Sequence, residues 1–208
     1  MVKQITLVKE KFYRLQLINK VFFFLKIIFI YYFLSIPVFA NIKQNLINKL
    51  TSTKTLSFNF EQKISDKKEI GKCIIKYPLL MKCNYENLKQ KIIISNGKKL
   101  AIIKKKYKKI YFYPIKSTPL FTILQKEEIY KIVRKVNPKK IDSNTVEFLI
   151  IDEKNNSLRI FFDTNTLNLK GWKTTDPYSN EVLFLINDLK INNIFEDNIF
   201  KIPRDKDL

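Results

Sequence analysis

Residues 55–62, Thr-Leu-Ser-Phe-Asn-Phe-Glu-Gln, constrain the fold of this chain more than any other stretch. Leu56, Phe58, Phe60 and Gln62 fall on one side, and Thr55, Ser57, Asn59 and Glu61 on the other. A period of two over eight residues belongs to a strand with one buried face; a helix would scatter the same side chains around its circumference. A hairpin centred on Pro78 follows, with apolar residues on the odd positions of both arms: Cys73 and Ile75, then Met81, Cys83 and Tyr85. These strands offer an aromatic-rich face without a charge. Such a face is either ordinary core or the wall of something hollow.

The symmetry of the hairpin about Pro78 sets Cys73 opposite Cys83. In a non-hydrogen-bonded pair, with Cα atoms about 4.5 Å apart, a disulfide fits. A slip of one residue would separate the two and leave reduced, buried thiols as the plain alternative. The same register puts Gly71 opposite Tyr85, whose ring is placed to cover the glycine.

Downstream the strand pattern continues. Ile92–Ile94 and Leu100–Ile103 flank a Ser95-Asn96-Gly97-Lys98 turn, and a basic run, Lys104–Lys109, leads into Ile110–Ile115. Further strands are expected at 131–136, 145–151, 158–162, 167–174 and 181–187, with a short last strand at 200–203. Two short helices interrupt the series. One runs through 42–53, N-capped by Asn41, with Ile42, Leu46, Ile47 and Leu50 on one stripe. The other starts at Thr118 as N-cap with Pro119 in the first turn; its residues Leu120, Phe121, Ile123 and Leu124 are too apolar to face water. About eight to ten antiparallel strands with two helices make a mainly β domain, curled into a barrel or a sandwich.

Composition excludes whole classes of chemistry. There is no His, which removes the commonest general base and metal ligand. Two cysteines cannot build a four-ligand zinc site, and three scattered glycines cannot form a phosphate-binding loop. Neither a nucleophile elbow nor a paired-acid motif is present. The expectation is therefore no enzyme, no metal and no cofactor. The net charge of +20, from 39 Lys+Arg against 19 Asp+Glu, invites a nucleic-acid partner. Lysine supplies nearly all of it, spread along the chain, while arginine, the better fork for phosphates and base edges, is scarce; no nucleic-acid binding is expected. The lysines read first as a solvated face, with steering toward acidic surfaces or anionic lipid heads as the functional alternative.

The N-terminus reads as an address. Six basic residues and one acidic residue within 1–26 precede the apolar run 27–36 and Pro37-Val38-Phe39-Ala40. A basic region, ten apolar residues and a small residue at the end describe a secretory signal peptide, too short to span about 30 Å of hydrocarbon. Cleavage after Ala40 is expected, which lowers the net charge to +15 and places the remainder in an oxidising, extracytoplasmic space. An uncleaved membrane anchor is the competing reading. Mature residue Asn41 is not a cysteine, so lipid anchoring at that position is not expected.

An ordered series of short motifs carries a resemblance. They are Leu56-x-x-x-Phe60-x-Gln62, Gly71 leading to Lys76-x-Pro78-x-x-Met81-Lys82-x-x-Tyr85, Ile94-Ser95-Asn96-Gly97, Ser117-Thr118-Pro119-Leu120, and Gly171-Trp172 with Asp188 and Phe200-x-x-Pro203. Over nearly all of 41–203 the chain resembles the periplasmic outer-membrane lipoprotein carrier proteins, the LolA family. The resemblance implies a single curved antiparallel sheet forming an incomplete, half-open β-barrel, with short helices as a lid over a hydrophobic cavity. It implies acylated lipoproteins as cargo, received from an inner-membrane ATP-driven release complex and delivered to an outer-membrane acceptor, with the carrier acting as a monomer. A related periplasmic or membrane-anchored lipid-binding module with different cargo is the alternative. Residues 204–208 read as a charged tail.

On this resemblance the cavity wall comprises Leu56, Phe58, Phe60, Ile75, Met81, Tyr85, Phe148, Ile160, Phe162 and Trp172, for each of which plain core is the competing reading. The lid comprises Thr118, Pro119, Leu120, Phe121, Ile123 and Leu124, against the alternative of a permanent plug. Many relatives carry Arg-Pro where this chain has Tyr77-Pro78, and that arginine helps hold the lid closed. Tyr77 has one hydroxyl to donate and Lys82 a single ammonium, so a latch through these two lacks the guanidinium fork.

Overall fold

Eleven antiparallel strands form a single sheet in the order β6-β5-β4-β3-β2-β1-β11-β10-β9-β8-β7. The computed structural model describes residues 38–88, 90–151, 157–176 and 179–208, together with residues 23, 25 and 26. The leader's basic region and apolar run thus lie, those three positions apart, outside the described residues. Met1–Ala40 and Asn41–Leu208 are separate compact units. Among the described residues no helix is long and apolar enough to cross a membrane.

The strands are β1 Thr55–Ile64, β2 Lys67–Lys76, β3 Leu80–Tyr85, β4 Lys91–Asn96, β5 Lys99–Lys104, β6 Lys109–Pro114, β7 Lys139–Asp142, β8 Thr145–Ile151, β9 Ser157–Asp163, β10 Leu169–Thr175 and β11 Glu181–Ile191. The helices are α1 Val38–Ser52, α2 Leu120–Leu124 and α3 Lys126–Lys135. Two meanders, β1 to β6 and β7 to β11, join by pairing β1 with β11. The sheet is curved but does not close, since β6 and β7 remain unpaired edges. The chain must therefore travel from one open edge to the other between residues 114 and 139, and α2 and α3 lie on that path. Connectivity alone thus supplies a cover for the open side.

The alternation expected in β1 is present: Leu56, Phe58, Phe60 and Gln62 are buried. The hairpin register is as read, with Gly71 opposite Tyr85, Cys73 opposite Cys83 and Ile75 opposite Met81. Cys73 and Cys83 are joined by a disulfide, their Cα atoms 4.1 Å apart. The ring over Gly71 is that of Phe60, its β1 neighbour, and Tyr85 packs edge-on against Phe60 at 4.8 Å. A Cβ on residue 71 would lie 2.7 Å from the Phe60 ring and 2.1 Å from the Asn84 carbonyl oxygen, so only glycine fits.

Four expectations are corrected. Residues 131–136 are not a strand, since α3 occupies Lys126–Lys135. Ile129, Ile132, Val133 and Val136 recur at helical spacing, with Glu127 and Glu128 at the positive end and Arg134 and Lys135 at the negative end. Residues 200–203 form no strand; Asp197–Phe200 is a 3-10 turn, tied down by Lys76 Nζ donating to Phe195 O (3.1 Å) and to Asp197 (2.5 Å). Asn41 does not cap α1, which already begins at Val38, directly after Pro37 in the sequence. Thr118 does not cap α2 either: its hydroxyl donates back to Ile115 O at 2.8 Å, and Pro119 precedes the first helical residue. The tail at 204–208 is charged, yet Leu208 packs with Ile202 against Ile94, Ala101 and Ile103 on the convex face.

Candidate binding cavity

The concave face and the helices over it share one hydrophobic cluster, and all ten residues read as cavity wall belong to it. They do not all reach the hollow. A cavity of ≈ 130 Å³ lies between β1, β3, β4, β10 and β11 and the start of α2. Of the ten, Met81, Tyr85 and Trp172 line it. Leu56, Phe58, Phe60, Ile75, Phe148, Ile160 and Phe162 are packed core, each at most 4 % exposed. Those seven stand outside the lining of this cavity; core and cavity wall select the same side chains.

The floor is aromatic. Trp172 and Phe184 stack at 4.2 Å, Phe184 and Phe60 at 4.7 Å, and Tyr85 meets Phe60 edge-on, so four rings run from β10 across β11 and β1 to β3. The small Gly71 on the intervening β2 leaves room for the Phe60 ring. Gln62, Cys83, Ile93, Thr174 and Val182 complete the wall. Reading apolar character residue by residue missed Phe184, although it stands on the alternating Val182-Phe184-Ile186 face of β11 and pairs with Trp172 in register.

Two polar groups of the wall satisfy one another. Tyr85 donates its hydroxyl to Gln62 Oε1 at 2.6 Å, and both residues are buried. Burial pushes the Tyr85 phenol well above its ordinary range, and the Glu69 carboxylate adds to the shift. Lys91 Nζ sits 3.7 Å above the Tyr85 ring and pairs with Glu69. The paired phenol and amide oxygen leave a wall that is mostly apolar.

The cover is α2 with Pro119 before it. Pro119 and Leu120 line the cavity, Ile123 and Leu124 are 0 % exposed, and Phe121 is half-buried. Leu79, in the β2–β3 turn, joins the cover to the sheet: its N–H donates to Leu124 O at 2.9 Å, while its own carbonyl accepts from Ser95 Oγ at 2.6 Å. Lys82 stands beside Ile74 and Ile94 on the opposite face from Met81 and Cys83, so it cannot reach the cover; the period of two in β3 decides this. Tyr77 is half-buried, its phenol held un-ionised by burial, and the Lys126 ammonium lies 5.5 Å from its ring.

Next to the cover, α3 is strapped to α1 at both ends. Lys126 Nζ donates to Leu50 O (3.1 Å), Thr51 O (3.4 Å) and Thr53 O (3.0 Å) at the C-terminal end of α1. In return Lys43 Nζ donates to Arg134 O (3.5 Å) and Asn137 Oδ1 (2.9 Å) at the C-terminal end of α3. Each ammonium thus sits at the negative end of the other helix. Desolvation draws the Lys126 pKa down, with Glu127 opposing. Among the described residues α2 has no lysine strap of this kind; the Leu79 N–H to Leu124 O bond ties it to the sheet.

The profile of the family described as outer membrane lipoprotein carrier protein LolA matches residues 51–203. The chain belongs to that family. It is not a family of enzymes. No curated protein matches this chain. Three solved structures are partly similar to the chain at low identity. One is an uncharacterized conserved protein from Thermus thermophilus, 8% identical, with 80% of this chain and 95% of the other covered and a TM-score of 0.49. Another is a LolA superfamily protein from Nitrosomonas europaea, 9% identical, with coverage of 77% and 98% and a TM-score of 0.42. A third is a putative outer membrane lipoprotein-sorting protein domain from Vibrio parahaemolyticus, 9% identical, with coverage of 77% and 94% and a TM-score of 0.44.

Proposed function

We propose that this LolA-family chain is a periplasmic lipoprotein chaperone. Residues 1–40 act as a leader removed after Ala40, and the carrier domain at 41–203 shields the acyl chains of lipoproteins on their way from the inner to the outer membrane. Its partners on this reading are acylated lipoproteins, an ATP-driven release complex in the inner membrane and an acceptor at the outer membrane. The observation that carries the reading is the aromatic hollow beneath a cover tied to the sheet by the Leu79 N–H to Leu124 O hydrogen bond, on the concave side of a sheet that does not close. Ligand pockets for drug-sized molecules run to about 300–1,000 Å³, so a cavity of ≈ 130 Å³ is a closed form that must widen to admit acyl chains.

The test uses the exported, purified protein and a triacylated peptide. Stoichiometric solubilisation of the peptide, together with lipoproteins accumulating in the inner membrane on depletion of the protein, is the expected result. A chain that neither solubilises the peptide nor binds a hydrophobic probe refutes the reading. The small closed cavity favours one second reading, a carrier of a single-chain lipid. Mass spectrometry of co-purifying lipid separates the two.

A further inference from the structure

More than half of the net charge of +20 is concentrated in one fifth of the chain: residues 87–126 carry eleven lysines and no acidic residue. Eight of these lysines, at 98, 99, 104, 105, 106, 108, 109 and 116, lie on the β5–β6 hairpin and its flanks. Among the described residues none of the eight forms an ion pair. Interleaved with them are four exposed aromatic side chains: Tyr107 at 50%, Tyr111 at 40%, Phe112 at 51% and Tyr113 at 45%. They belong to β6, the free edge of the sheet, and to the turn before it. Large aromatic side chains clustered in water mark a surface that meets something else.

We propose that this edge docks on an anionic lipid bilayer, with the aromatic rings at headgroup level and the lysines on lipid phosphates. Amphipathic rings favour the membrane–water interface, and each lysine near an anionic surface adds attraction. The lysines need little reorganisation, since Lys104 and Lys99 already lie 5.1 Å and 5.5 Å from the Tyr111 and Phe112 rings.

The placement of the rings selects the partner. Tyr111 and Tyr113 stand beside Ile102 and Leu100 on the concave face, whereas Phe112 stands beside Ala101 on the convex face. Rings pointing both ways from one strand offer no flat platform for stacked bases, and the cations are ammonium points rather than guanidinium forks. A fluid interface approached edge-on takes both sets at once. Pro114 and Lys109 at the ends of β6 also discourage the addition of another strand. Five residues beyond Pro114 the chain reaches Pro119 and Leu120, so docking brings the cavity cover to the bilayer. This inference goes beyond the carrier reading and does not depend on the cargo.

Cosedimentation of the whole purified protein with vesicles tests it, comparing phosphatidylcholine alone with an equal mixture of phosphatidylcholine and phosphatidylglycerol. Binding to the mixture only, weakened by salt, is expected. Replacing Lys104, Lys105, Lys106 and Lys108 together by Gln should lower the partition coefficient at least about a hundredfold, at up to about fivefold per lysine. Phe112→Trp, at an exposed site that folding does not need, should shift its emission to the blue on the mixed vesicles. The inference is overturned if the lysine variant binds like the parent, even where it self-associates, because the lysines then only keep sheet edges apart. An unmoved Phe112→Trp emission during vesicle binding overturns it too. Solubilisation of a triacylated peptide without vesicles reads the carrier function separately, so either can fail alone.

Discussion

Ile123→Ala distinguishes a gate from a plug. Undocking α2 exposes Ile123 and Leu124, both 0 % exposed in the closed form, at about 1.5–3 kcal/mol each. It also breaks the Leu79 N–H to Leu124 O bond (2.9 Å), about 1 kcal/mol more. Opening therefore costs about 4–7 kcal/mol. An acyl chain of ~15 carbons gains about 12 kcal/mol on burial, enough to hold the cover open. Three chains without that opposing term would exceed the ~20 kcal/mol at which non-covalent affinities saturate, and the cargo could not leave. Apparent affinity scales with the open fraction, so removing about 2 kcal/mol of the opening cost should tighten binding of a fluorescent acyl probe about 30-fold. Probe titration and urea unfolding on the same sample provide the measurement. Ile103→Ala is the control: Ile103 is also 0 % exposed, but it lies in the convex-face cluster. Both variants should lose about 2–5 kcal/mol of stability, and only Ile123→Ala should bind more tightly. Equal probe affinity for the two variants would mean that α2 is a fixed plug.

Two further outcomes follow from the same geometry. The Cys73–Cys83 disulfide closes a loop of sequence separation 10, for which chain entropy gives about 2.7 kcal/mol. Reduction by a non-thiol reagent should lower the thermal midpoint by about 5–11 °C, and an unchanged midpoint after verified reduction would contradict this. Burial raises the Tyr77 and Tyr85 phenols, so the native state keeps protons that the unfolded chain releases above about pH 10. Their contribution to stability is complete below that pH and is lost as pH rises above it. In a phenolate absorbance titration two tyrosines should ionise only as the chain unfolds; ionisation of every tyrosine in the native chain near the ordinary value would refute the assignment.

Local pattern carried most of the sheet. The hairpin at 71–85 was readable to the residue, including the cysteine pair, because its symmetry about Pro78 leaves one register that keeps the odd positions on one face. The expected strand at 131–136 failed because Ile132, Val133 and Val136 are β-branched, while the helical signature starts earlier, at Lys126-Glu127-Glu128. Eleven strands replace the expected eight to ten partly because the short edge strand β7, polar and exposed, has no apolar alternation to announce it.

Sequence by itself determined the class of fold, the buried face of β1 to β3 and the family signature, since each rests on neighbours within one strand or hairpin. Only the tertiary structure decided which apolar side chains bound the hollow. Phe60 and Phe162 are filled core while Trp172 and Phe184 border space, and the four have the same hydrophobic character in sequence. Packing between distant strands makes that choice. The straps between α1 and α3 were hidden for a like reason: Lys43 and Arg134 lie 91 residues apart, and Lys126 and Leu50 lie 76 apart. A lysine that caps a helix far along the chain looks, in one dimension, like any solvated lysine.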